Sequence, residues 1–171
     1  KGVDTVIKAL EDLPATELLI VGGPAEGPVE EDPEARRLRR IAEKAGVSDR
    51  VLMPGRVSYE AMPAQLRAAD VVVCTPWYEP FGIVPLEAMA CGVPVVAAAV
   101  GGMRDSIEDG LTGTLVPEVS PESVAAAVRP YLEDPELGRR VGRAGRARAC
   151  ALYSWDAIAA ETIKAYELAA S

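Results

Sequence analysis

Five short apolar runs punctuate the chain, at residues 17–21 (ELLIV), 51–53 (VLM), 70–74 (DVVVC), 93–98 (VPVVAA) and 114–116 (TLV). Between them, apolar residues recur at helical spacing, as in Val3, Val6, Ile7 and Leu10, or Met62 and Leu66 in line behind Ser58. Runs so short and so uniformly apolar suit strands buried on both faces, as in a parallel sheet whose crossovers are helices. The alternation predicts an α/β fold, a doubly wound parallel sheet with helices on both sides. Gly22, Gly23 and Pro24 stop the first strand, a Pro- and Glu-rich loop follows to Pro33, and a charged helix over 34–45 ends at Gly46. Beyond residue 120 the pattern is helical, over 121–132, 135–149 and 155–169, with no linker or repeat.

One element lacks its partner. In such a sheet each helix joins two parallel strands, yet the opening helix has no strand before it. The expectation is a sheet without its first strand, or one completed by residues outside the sequence. The opening KGVDTVIKAL has neither an initiator Met nor the apolar core of a signal peptide, so a piece of something longer is expected.

Composition narrows the chemistry. A length of 171 residues suits one domain, and no apolar stretch reaches the ~18 residues that span a bilayer. Eighteen basic against 26 acidic side chains leave a net charge of −8, which opposes a broad footprint for nucleic acid or an anionic membrane. Histidine is absent, so a Ser-His-Asp triad, a Cys-His pair and imidazole metal sites cannot be assembled from this chain. Cys74, Cys91 and Cys150 have no CxxC spacing and are expected as reduced, mostly buried thiols of a cytoplasmic protein. An anionic ligand would have to be held locally.

The stretch TPWYEPFGIVPLEAM offers such a place. Glu79 lies in the loop leaving a buried strand, and Glu87 follows eight residues later in the first turns of a helix. Phe81 and Gly82 suit a tight backbone passage, and Pro85 suits the first helical position, leaving amides around Gly82 to Val84 free for an anion. Two ionised carboxylates accept hydrogen bonds from hydroxyls, so they fit a sugar or a ribose on either side of a negative centre. The plainer readings are a capping box closed by Glu87 and a solvated Glu79. Trp77 and Tyr78 could stack on a sugar or pack beneath the loop.

These residues resemble the E-x7-E motif, with F-G-[IL], of the donor site in retaining GT-B glycosyltransferases of family 4. The likeness extends over nearly the whole chain. Lys1-Gly2 resembles the family's KG pair, DRVLMPGRV its base-binding strand and loop, and VPVVAAAVGG with DGLTGTLV the segment after the motif. YSWDAIAAETIKAYELA is similar to the closing helix, so residues 1–171 resemble one Rossmann-like nucleotide-sugar domain closed by 151–171.

The resemblance implies that Glu79 binds hydroxyls of the transferred sugar and Glu87 those of the ribose. It implies main-chain contacts from Phe81, Gly82, Ile83 and Val84 to diphosphate and sugar, with Lys1 neutralising the leaving diphosphate and Arg56 and Val57 lining the base pocket. It implies an NDP-sugar substrate linked to UDP, GDP or ADP, no cofactor, no metal and no general base. The acceptor domain would be a separate N-terminal unit absent from this sequence, and membrane contact would come only through the full-length enzyme. The family's arginine ahead of the KG pair has no counterpart here, and Gly101-Gly102-Met103-Arg104-Asp105 stands where many members have GGxPE. A non-catalytic sugar-nucleotide-binding module is the alternative; a flavodoxin-like receiver is disfavoured because aspartates do not cluster at the strand ends. The acids Glu30, Glu31 and Asp32 and the arginines 139, 140, 143, 146 and 148 read as solvated surface rather than as a metal or membrane site.

Overall fold

Each apolar run of the sequence becomes a strand, and each strand pairs in parallel. The computed structural model describes residues 1–170, so Ser171 of the expected closing segment lies outside the described residues. In chain order the elements are α1 (Val3–Ala9), β1 (Leu18–Val21), α2 (Pro33–Lys44), β2 (Val51–Gly55), α3 (Met62–Ala68), β3 (Val72–Cys74) and α4 (Ile83–Ala90). They continue with β4 (Val95–Ala98), α5 (Met103–Ser106), β5 (Thr114–Val116), α6 (Pro121–Glu133), α7 (Pro135–Leu152) and α8 (Trp155–Ala169).

β4 is buried at every position and sits between β3 and β5. Its side chains alternate between two cores, as the twofold period of a strand requires. Val96 packs with Ala9, Leu13, Val124 and Val128, whereas Val95 and Ala97 pack with Leu86, Met89 and Ala149. Helices therefore cover both faces, and the α/β expectation holds. Each fully buried valine contributes roughly 1.5–3 kcal/mol relative to exposure.

A third core, of Ile7, Leu10, Leu38, Ala42 and Val47, lies under β1 and β2. Arg50 locks this part by donating to the carbonyls of Leu10 (2.9 Å), Leu13 (2.7 Å) and Thr16 (3.1 Å). The strands form two separate sets, β1 with β2 and β3 with β4 and β5, and no described strand joins β1 to β3. α1 packs against both α2 and α6 and so ties the two sets together.

The ends of elements moved where backbone chemistry decides them. β4 begins at Val95 because Pro94 has no N–H to give; its carbonyl instead accepts from Val72 at 3.0 Å. Ser58 caps only a turn, its Oγ accepting from the Ala61 amide at 3.3 Å, and α3 starts at Met62. α7 continues three residues past the expected 149, because Cys150, Ala151 and Leu152 bring neither glycine nor proline to end it. The thiols are less enclosed than expected. Cys74 and Cys91 are half-buried, and Cys150 is exposed on α7.

Candidate functional site

Parallel pairing puts the carboxyl ends of β3, β4 and β5 on one edge, where such sheets hold ligands. The loop from Thr75 to Gly82 crosses that edge between β3 and α4. Gly82 caps α4 with φ +88, a conformation that favours glycine, and a Cβ there would stand 3.3 Å from the Met103 side chain.

Glu79 is the centre of the arrangement. Its Oε2 accepts from the Lys1 ammonium at 3.1 Å, and its Oε1 accepts from the Gly82 amide at 3.3 Å. The Lys1 hydrogen bond, with the Gly82 amide adding to it, holds the Glu79 carboxyl below its ordinary value of 4.5. Glu79 is 22% exposed and Lys1 77%, so the pair sits open to a solute.

Three glycines set this geometry by close approach. Gly2 adopts φ +76, and a Cβ on it would lie 1.9 Å from the Thr75 carbonyl oxygen; the buried Thr75 hydroxyl donates to the Gly2 carbonyl at 3.2 Å. That contact brings Lys1 to Glu79 across 78 residues of sequence. On the other side, a Cβ at Gly101 would stand 2.0 Å from the Glu79 carbonyl oxygen and one at Gly102 2.5 Å from that of Phe81. The Gly102 amide donates to the Glu79 carbonyl at 3.3 Å.

Lys1, Glu79, Phe81, Ile83 and Val84 line one groove of about 410 Å³. Phe81, Ile83 and Val84 are 51%, 60% and 52% exposed, a set of apolar side chains at the helix start; Phe81 also meets Tyr153 edge-on, centroids 6.5 Å apart. Cys74 lines the same groove, but burial, reinforced by the Glu79 charge, pushes its thiol up to about 12, so it stays protonated and poorly nucleophilic at neutral pH.

Two local expectations change. Ile83 and Val84 take the first two helical positions and Pro85 the third, so proline does not open α4; its missing N–H still falls among those a helix leaves unpaired. Glu87 is then the fifth residue of α4, beyond the reach of a capping box. Among the described residues its carboxylate bonds to none, and it lines neither groove of this edge. Trp77 and Tyr78 stand 87% and 75% exposed, so they do not pack beneath the loop.

Arg56 lies apart from this group, in a second groove of about 500 Å³ bounded by Pro24, Gly27, Val29 and Gly55 at the end of β2. Val57, next in sequence, is half-buried and not part of that lining. The acids of the 30–32 loop have structural partners: Glu30 pairs with Arg39 at 3.4 Å, and Asp32 caps α2 by accepting from the Ala35 amide at 2.8 Å. On α7, Arg139 pairs with Glu136, and Arg148 binds Glu108 and the Ser106 and Asp105 carbonyls.

Sequence reading missed Thr75 and the packing roles of Gly2, Gly101 and Gly102. The Gly-Gly dipeptide was a visible signal of a turn, but which backbone it lets approach is a long-range fact.

The fold is that of an α/β domain with parallel strands, its candidate site at their carboxyl ends. Residues 1–148 match the family described as glycosyl transferases group 1, and the chain belongs to that family. It is 41% identical over 167 residues to the D-inositol 3-phosphate glycosyltransferase of Xylanimonas cellulosilytica, covering 97% of this chain and 39% of that protein. Among solved structures it resembles the sucrose-phosphate synthase of Thermosynechococcus elongatus (TM-score 0.88, 37% identity, all of this chain and 43% of that one). It also resembles Anabaena HepE in complex with UDP and glucose (TM-score 0.84, 27% identity, all of this chain and 45% of that one). The fold is thus that of a GT-B carboxyl-terminal domain, and the chain spans about two fifths of the relatives' length. No helix among the described residues is long and apolar enough to cross a membrane.

Proposed function

We propose that the chain is the donor-binding half of a retaining, family 4 glycosyltransferase that moves a hexosyl unit from a nucleoside-diphosphate sugar to an acceptor hydroxyl. The observation that carries this reading is the meeting of Lys1, the Glu79 carboxylate and the amide-rich start of α4 on one strand edge. A diphosphate seated against the start of α4 gains from the Ile83 and Val84 N–H groups, which the first turn of a helix leaves unpaired, and from the helix dipole. Lys1 then stands where charge grows on the departing phosphate oxygen, and Glu79 accepts from sugar hydroxyls.

In this reading Glu87 takes the ribose hydroxyls, which gives purpose to a half-buried carboxylate that no described residue engages. Arg56 and the loop through Val57 border the base. Of UDP, GDP and ADP we propose UDP, because HepE is solved with UDP and with UDP-glucose. The acceptor returns on the face the nucleotide leaves, so no general base is assigned, and acceptor contacts come from an N-terminal domain. Isothermal titration with the three nucleotides tests the proposal. UDP binding that Glu87→Ala weakens by about tenfold or more supports it; unchanged binding in Glu87→Ala and Lys1→Ala together sinks it.

A further inference from the structure

The loop that carries Glu79 is also gripped from the far end of α7. Phe81, the single phenylalanine of the chain, is half exposed, and among the described residues one aromatic ring meets it, that of Tyr153, edge-on at an interplanar angle of 80°. Tyr153 reaches it because of where α7 ends. Its amide still donates to the Ala149 carbonyl at 2.9 Å, so it closes the last turn and keeps the face of buried Ala149, which packs with Met103 and Ile107. Ser154 then caps α8, its Oγ accepting from the Ala157 amide at 3.3 Å. The ring is half-buried against that core, so α7 sets its position.

The Tyr153 hydroxyl fixes the ring further. It donates to the Asp105 carbonyl at 3.2 Å, which also accepts from the Arg148 guanidinium at 2.9 Å, while Arg148 Nε donates to the Ser106 carbonyl at 2.9 Å. These carbonyls end α5, and so short a helix leaves them without internal partners. At its other end α5 follows Gly102, whose amide donates to the Glu79 carbonyl at 3.3 Å and whose missing Cβ leaves room for the Phe81 carbonyl. The end of α7 therefore holds the loop twice, by an aromatic edge on Phe81 and by way of α5 behind Glu79.

We propose that Tyr153 is a positioning residue for the loop over 79–82: its ring, anchored on Asp105, holds Phe81 and so keeps Glu79 and the start of α4 arranged to receive the donor. The proposal rests on the donor-site reading above. Tyr153 lines neither groove of this edge, so it acts through Phe81 rather than on a ligand. An edge-to-face pair shifts an equilibrium by about two- to tenfold, which sets the size of the effect.

Two variants separate the ring from its bulk. Tyr153→Phe keeps the edge contact and loses the bond to Asp105, whereas Tyr153→Leu keeps apolar volume beside Met103 and Ile107 and loses the edge. Hydrogen exchange reads the loop without any nucleotide. In Tyr153→Leu the Gly82 and Gly102 amides are expected to exchange about fivefold faster relative to the amides of β4, and in Tyr153→Phe to stay within about twofold of the unaltered chain. UDP affinity by isothermal titration should fall about fivefold in Tyr153→Leu and be largely restored in Tyr153→Phe. A residue with only a core role would speed exchange in β4 and in the loop together, and that outcome overturns the proposal. So does unchanged exchange at Gly82 and Gly102, loosened exchange with unaltered UDP affinity, equal losses in the two variants, or a Tyr153→Leu chain that does not fold. An unaltered chain that binds no UDP defeats the donor-site reading by itself, while the exchange ratios still decide whether Tyr153 holds the loop.

Discussion

Glu79 gains its character from two donors far apart in sequence, the Lys1 ammonium and the Gly82 amide. Because its folded pKa is depressed, the pairing is present above the ordinary carboxylate value and is lost as pH falls through the lowered one. Carbon-detected NMR titration should find the Glu79 carboxyl titrating below 4.5, and Lys1→Ala should move it upward, since Lys1 is the largest cause of the shift. A second residue-scale prediction concerns Gly2. Alanine there would place its Cβ 1.9 Å from a backbone oxygen and force a positive φ, so Gly2→Ala should cost about 2 kcal/mol or more in urea unfolding and should also return Glu79 toward ordinary titration. The E-x7-E spacing and the lysine were readable from sequence. Their partnership was not, because it depends on a glycine packing against Thr75, which no local pattern announces.

At the scale of elements, the helices rest on caps and close crossings. Ser120 and Ser123 exchange hydrogen bonds at the start of α6, and Asp134 accepts from the Glu136 and Leu137 amides at the start of α7. Asp134→Ala should therefore lower stability by about 1 kcal/mol, read as a shift in the urea midpoint at constant slope. α7 crosses the end of α4 through Gly142, where a Cβ would lie 2.0 Å from the Gly92 carbonyl oxygen. Gly142→Ala should cost about 3 kcal/mol even though alanine is the better helix former, because the backbone of the 92–93 turn cannot move aside without disturbing β4. Periodicity and apolar runs placed these helices and strands within a few residues. It put Pro85 at the head of α4 because the preference of proline for a first turn does not say which position in that turn it takes.

For the whole molecule, two separate strand sets are held together by α1, which packs against both α2 and α6. The chain corresponds to about two fifths of the length of the relatives it matches, and in the function proposed above the acceptor contacts come from a further domain. We expect the isolated chain to bind UDP weakly and to transfer no sugar above background in a radiolabelled-donor assay; transfer at an ordinary enzyme rate would overturn the division of labour proposed here. On α8, Trp155 and Tyr166 are 85% and 71% exposed, and the helix contributes no fully buried residue among those described.

The sequence by itself determined the class of fold, the order of strands and helices, and the residue types available for chemistry. These follow from short-range physics: burial periodicity, proline and glycine stereochemistry, and the absence of histidine. Tertiary structure alone decided that Lys1 meets Glu79, that Gly101 and Gly102 brace the loop, that Glu87 stands clear of any cap, and that the strands part into two sets with an apolar groove between them. Those facts depend on backbone surfaces meeting across tens of residues, and the close contacts that select them leave no periodic trace in the chain.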